Sequence, residues 1–141
     1  MRTLLLAVAV AAVLAVPAAA STGARSIVTV HASKYGRILF DGRGFVLYTF
    51  TRDPRGRSTC DGACAKRWPP DIVSNRPAAG EGANDSLLGT IRRSDGSLQA
   101  TYAGRPLYYY AHEGPGQVLC HDVNLNGGIW KVVAPDGRPR R

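Results

Sequence analysis

The sequence contains no G-x-S-x-G nucleophile elbow, no H-E-x-x-H, no G-x-x-x-x-G-K phosphate loop and no G-x-G-x-x-G behind a strand. The familiar signatures of serine hydrolases, zinc proteases and nucleotide-binding enzymes are therefore missing. Its three cysteines form no C-x-x-C pair, which removes the repeated zinc-finger spacing and the C-x-x-C-H haem attachment. Past Val16 no apolar run reaches the about 20 residues that a membrane-spanning helix needs. A chain of 141 residues has the length of one domain, so a large multidomain enzyme and a membrane transporter are excluded as well. Acidic residues are few, 10 against 18 basic ones, for a formal charge of +8.

What is present begins with an export pattern. Leu4 to Val16 is an apolar block behind Arg2, too short to span a bilayer, and it ends in the small residues Ala18, Ala19 and Ala20. This layout predicts a cleavable secretory signal over residues 1–20 and a secreted or periplasmic mature chain. Export excludes a nuclear or cytosolic nucleic-acid binder; the polyanions met outside the cytoplasm are envelope polymers and anionic head groups. Fifteen of the basic residues are Arg, interspersed with Asp, and no run is longer than Arg92-Arg93 and the tail Arg138, Arg140, Arg141. The scatter reads as a solvated surface, and residues 138–141 as a frayed basic end.

Residues 21–33 hold a polar spacer and a first strand, Ser26 to His31, with His31 an exposed strand residue. Residues 36–50 read as a hairpin: Arg37 to Phe40 ascends, Asp41-Gly42-Arg43-Gly44 turns, and Phe45 to Phe50 returns. Cys60 to Trp68 is the one stretch suited to a short helix, stopped by Pro69-Pro70, and Ser74 to Asp85 reads as a surface loop. Further strands are expected at Leu88 to Arg92, Leu98 to Tyr102, Arg105 to Tyr110 and Ile129 to Val133.

At an offset of sixty the chain pairs with itself. Gly36, Gly44, Leu47, Tyr48, Gly56 and Cys60 fall on Gly96, Gly104, Leu107, Tyr108, Gly116 and Cys120, six identities in twenty-five positions. Average composition gives roughly one or two. The expected fold is mostly β: an antiparallel sheet domain of two duplicated β-hairpin units related by a pseudo-twofold, packed as a single sheet system, with one short helix.

These residues resemble a bacterial secreted-repeat family, described also as lipoproteins with a Y-x-[FWY]-x-x-D motif. The first copy, about 34–70, carries the motif as Tyr48, Phe50 and Asp53, followed by CDGAC from Cys60 to Cys64 and by Trp68-Pro69-Pro70. The second, about 94–137, carries Tyr108, Tyr110 and, in place of the acid, Glu113, with a closing Trp130. The resemblance covers about residues 34–137 and implies no biochemical activity. Many relatives are lipidated on a cysteine at the end of the signal; here no cysteine precedes Cys60, so the chain is expected to be released rather than anchored.

A strand places Tyr48 and Phe50 on one face with Asp53 just past its end, which suits a packing pair plus an acceptor for turn amides. The second reading of these rings is an aromatic-lined ligand groove made by Tyr48, Phe50, Tyr108 and Tyr110. Three consecutive tyrosines at 108–110 must face both sides of a strand, which leaves at least one ring open to solvent.

Three thiols in an exported chain leave one unpaired after a single bridge. Joining Cys60 to Cys64 closes 5 residues, worth roughly 2 kcal/mol of chain entropy; joining Cys60 to Cys120 closes 61, worth roughly 4. Entropy favours the long bridge and local encounter the short one, whose separation a turn permits. The resemblance implies Cys60 with Cys64. Cys120 is then a free thiol beside His121, read as a buried, inert cysteine. These readings converge on a monomeric, non-enzymatic binding or structural domain of the envelope, without a cofactor, whose partner is an envelope component or an anionic polymer. The alternative is an extracytoplasmic copper or redox protein in which Cys120, His121 and His112 meet Cys60 and Cys64.

Overall fold

The computed structural model describes residues 25–141; the expected signal and the start of the spacer lie outside the described residues. Strands β1 (Ile27–Ser33) and β2 (Gly36–Asp41) form an antiparallel hairpin from Val28 opposite Asp41 to Ser33 opposite Gly36. Its bend is at Lys34-Tyr35, so β2 takes its partner from upstream. The hairpin predicted over residues 36–50 forms only in part. The Asp41 carboxylate does organise the predicted turn, its Oδ1 accepting from the amides of Arg43 and Phe45, and Phe40 bridges to Val46. The Leu47 amide still donates to Leu39 O at 3.1 Å; beyond it the chain leaves, and β3 (Tyr48–Phe50) pairs with β10 (Gly128–Val132) in another sheet, Trp130 opposite Phe50. Apolar alternation marks a strand but carries no address for its neighbour.

The helix α1 (Ala63–Arg67) lies where Cys60 to Trp68 predicted it. After it come β4 (Ile72–Val73) and β5 (Ala78–Ala79), the latter inside the expected loop and parallel to β1. Strands β6 (Leu88–Arg92) and β7 (Leu98–Tyr102) form the second hairpin around Asp95-Gly96, at the predicted bounds. The expected strand from Arg105 shrinks to β8 (Arg105–Pro106), after which Tyr108 makes single bridges to Tyr48 and Pro70. Three strands, β4, β5 and β9, have no counterpart among the expected ones; β9 (Val123–Leu125) turns into β10 through Asn126 and Gly127, both at positive φ (58° and 78°). An Asn-Gly pair at such angles is a favoured two-residue hairpin turn.

The strands assemble as β2-β1-β5, β3-β10-β9 and β4-β7-β6 with β8 on β7, three small sheets in place of a single one. Between them lie two cores. Ile38, Phe40, Tyr48, Tyr108 and Val132 point into the first, around Trp68 and Trp130. Their chain neighbours Leu39, Leu47, Leu107 and Val133 point into the second, with Val28, Leu88 and Tyr102. These segments are buried on both faces, hence their near-continuous apolar character. The basic tail is not frayed: Val133 bridges Pro139, the Arg140 amide donates to Val132 O at 2.9 Å, and Arg140 Nη2 donates to Arg37 O at 2.8 Å. Among the described residues no helix is long and apolar enough to cross a membrane.

Candidate functional site

Tyr48 and Tyr108 face each other as an antiparallel pair and exchange both backbone hydrogen bonds, at 2.9 and 3.0 Å. Their side chains then cross. Tyr48 Oη donates to Glu113 Oε1 at 2.5 Å, and Tyr108 Oη donates to Asp53 Oδ2 at 2.5 Å. Each motif tyrosine therefore meets the acid of the other copy. The same exchange recurs in the backbone, where Gly56 N donates to Gly104 O and Gly116 N to Gly44 O, both at 2.8 Å.

Each acid also closes its own loop. Asp53 Oδ1 accepts from the amide and hydroxyl of Thr59, at 2.7 and 2.8 Å, and Glu113 Oε1 accepts from the Leu119 amide. Burial pushes the carboxyls of Asp53 and Glu113 up, while the phenol and amide donors that face them pull down. Burial also pushes the phenols of Tyr48 and Tyr108 up, so the proton of each short bond stays on the tyrosine.

The remaining motif rings form a column. Phe50 stacks on Trp130 at 4.2 Å, Trp130 on Trp68 at 4.0 Å, and Tyr110 tilts over Trp68 at 4.8 Å. Tyr48 and Tyr108 set their edges against Trp68 and Trp130, at 5.3 and 5.1 Å. Tyr48, Tyr108 and both tryptophans are 0% exposed and Phe50 is 3% exposed, so these rings are core and do not line an open groove. Of the three consecutive tyrosines, Tyr109 and Tyr110 are half-buried.

Cys60 and Cys64 are joined in a disulfide, with Cα atoms 5.2 Å apart, and Cys120 is a buried free thiol. Burial, and then the nearby Glu113 carboxylate, push the Cys120 thiol up, away from the reactive thiolate. Alkylation is thus expected to label no cysteine in the native oxidised protein and one, Cys120, after denaturation; mass mapping that finds Cys60 or Cys64 labelled would refute the short bridge. Reducing that bridge should lower stability by about 2 kcal/mol, read from urea unfolding with and without reductant.

The thiol–imidazole set of the alternative reading is not assembled. Cys60 and Cys64 are consumed by their bridge. His121 turns to Tyr35, ring centroids 4.3 Å apart, and its Nδ1 accepts from the Val132 amide, whereas His112 is exposed against the edge of Tyr110. Among the described residues no group of three or more His, Cys, Asp or Glu side chains is placed to hold a metal ion.

Three features had no clear signal in the sequence. Arg93, half of a pair that reads as surface charge, is 7% exposed. Its guanidinium donates to Ser58 Oγ, Gln99 Oε1, Cys60 O and Asp61 Oδ1 at 2.7 to 2.9 Å, pinning the disulfide loop to the second copy. Asp41 and Asp71, far apart in sequence, both lie 3.1 Å from Tyr109 Oη at one wall of a cavity of about 570 Å³. A second cavity, of about 490 Å³, is lined by Tyr35, Asp136, Arg138, Arg140 and Arg141 among others.

No curated protein and no solved structure matches the chain. A family described as a secreted repeat of unknown function matches it twice, over residues 29–70 and 89–134. Each matched segment contains one motif tyrosine, the acid that the opposite copy's tyrosine reaches, and one tryptophan of the stacked pair. With both repeats matched over more than half of its length, the chain belongs to this family of secreted repeats.

Proposed function

We propose that the protein is an exported, non-enzymatic domain that binds an anionic polymer of the cell envelope, with the motif residues acting as its internal frame. The observation that carries this reading is the cavity lined by Arg138, Arg140 and Arg141, where Asp136 is the single acid. Guanidinium groups suit repeated phosphate or carboxylate groups, which they meet through paired donors; Arg138 is exposed, with only a 3.8 Å pairing to Asp136. Arg140 is fixed from two sides, and its Nε is buried without an acceptor, a donor that an anion would satisfy. Export is supported by the family's description and by the disulfide, a bond that persists in oxidising compartments. Signal cleavage near Ala20 remains part of this reading.

The test is retention of the purified protein on immobilised long-chain polyphosphate as salt is raised. Replacing Arg138, Arg140 and Arg141 together by Ala should weaken retention by about tenfold or more and flatten its salt dependence. Unchanged retention in that variant, or no retention of the parent protein at low salt, overturns the proposal.

A further inference from the structure

We propose that the cavity walled by Asp41, Tyr109 and Asp71 binds a small organic ammonium ion, with Asp71 accepting its N–H groups and Ile27 and Ile72 against its apolar body. This site lies apart from the arginine-lined cavity and does not depend on it.

Hydrogen-bond accounting points to a missing donor. Asp41 and Asp71 are each 3% exposed. Asp41 is fully supplied: Oδ1 accepts two backbone amides and Oδ2 accepts Arg43 Nε at 2.9 Å and pairs with Arg43 Nη2 at 2.8 Å. Asp71 has only Tyr109, on Oδ1, and its Oδ2 is buried with no partner. Tyr109 stands 3.1 Å from both carboxylates but owns one phenolic proton, so it serves one of them at a time. A buried carboxylate short of donors is unfavourable unless it is neutralised or given a cation.

Among the described residues, the two cations that line the cavity, Arg25 and Arg43, are already engaged. Arg43 is paired with Asp41 and lies over the rings of Phe45 and Tyr109, and Arg25 donates to the carbonyls of Arg76 and Pro77. An ammonium group brings three donors and the missing charge. Rotation about the broad χ2 of Asp71 turns Oδ2 toward such a guest. A neutral polyol supplies donors but no charge, and an anion meets two carboxylates.

The walls select for an apolar body. Among the described residues three large hydrophobics are exposed, and two of them, Ile27 at 45% and Ile72 at 51%, line this cavity. Pro70 completes the apolar side. Apolar walls around a few convergent polar groups are the usual make-up of a small-ligand site.

Burial raises the Asp71 carboxyl to about 6; the Tyr109 hydrogen bond and Arg43 oppose the shift and Asp41 adds to it. An ammonium ion binds the ionised form, so affinity should hold above that range and fall as pH drops through it, by about tenfold per unit. The experiment titrates the purified, disulfide-bonded protein with butylammonium, followed by NMR. Saturable shifts are expected at Ile27, Ile72 and Tyr109, with butanol and the Asp71→Asn variant each binding about tenfold more weakly or worse. Equal binding of butanol, equal binding by Asp71→Asn, or no saturable shift overturns the proposal. A direct readout needs no variant: saturating butylammonium should lower the titration midpoint of the Asp71 carboxyl, and an unmoved midpoint also overturns it. The variant lacking Arg138, Arg140 and Arg141 should keep its butylammonium affinity, so loss of polymer binding and loss of this site are separately visible.

Discussion

Trp130→Ala is expected to lower the unfolding free energy by about 3–5 kcal/mol, the range for removing a buried large aromatic. Against the about 5–15 kcal/mol that holds a typical domain, this is a large fraction of the total stability. Trp130 is 0% exposed and lies between Phe50 and Trp68, so its loss opens a void in the middle of the column. A milder pair of variants separates ring from hydrogen bond. Trp130 Nε1 donates to Leu125 O at 3.2 Å, whereas Trp68 Nε1 is buried with no acceptor. Trp130→Phe should therefore cost about 1 kcal/mol more than Trp68→Phe in urea denaturation followed by circular dichroism. Equal losses would show that packing alone sets the cost and that the Leu125 contact contributes nothing.

The crossed tyrosine–acid bonds give the second large effect. Tyr48→Phe together with Tyr108→Phe removes both donors and leaves Asp53 and Glu113 short of a partner, a loss of about 2–6 kcal/mol from about 1–3 for each buried group left unmatched. The pattern of coupling tests the geometry more sharply than the total. In double-mutant cycles Tyr48→Phe should couple to Glu113→Gln by about 1 kcal/mol or more, and to Asp53→Asn by less than about 0.5. Proximity in sequence predicts the reverse, since Tyr48 and Asp53 belong to one motif. Stronger coupling within a copy than between copies would refute the crossed arrangement.

Much of the fold could be read before the structure, and the gaps have physical causes. The β6 and β7 hairpin and the short helix were legible because Asp95-Gly96 and Pro69-Pro70 act locally, through turn geometry and a missing amide proton. The duplication was legible because its glycines sit at conserved spacing: Gly36, Gly44 and Gly56 share positive φ with Gly96, Gly104 and Gly116, a conformation that other residues adopt at a penalty. The partner of β2 was not, because a strand buried on both faces reads alike whichever neighbour it takes.

The sites divide in the same way. Tyr48 and Phe50 were expected to pack and Asp53 to accept turn amides, and both contacts are present, but the opposite copy's tyrosine on each acid depends on how the copies dock. Arg93 and Asp71 gave no warning at all. A charged residue is normally outside, and its burial is decided by partners thirty or more residues away, such as Cys60 for Arg93 and Tyr109 for Asp71.

The crossing also bears on how such a chain could arise by gene duplication. A single repeat standing alone has a tyrosine without its acid and an acid without its tyrosine, and two identical repeats supply each other's deficit in a self-complementary homodimer. Tandem fusion makes that partnership intramolecular and independent of concentration. It also frees the halves to diverge: the first holds a disulfide at Cys60 and Cys64, while the second has Cys120 at the position matching Cys60 but Asn124 at the one matching Cys64, so its thiol has no partner at that spacing.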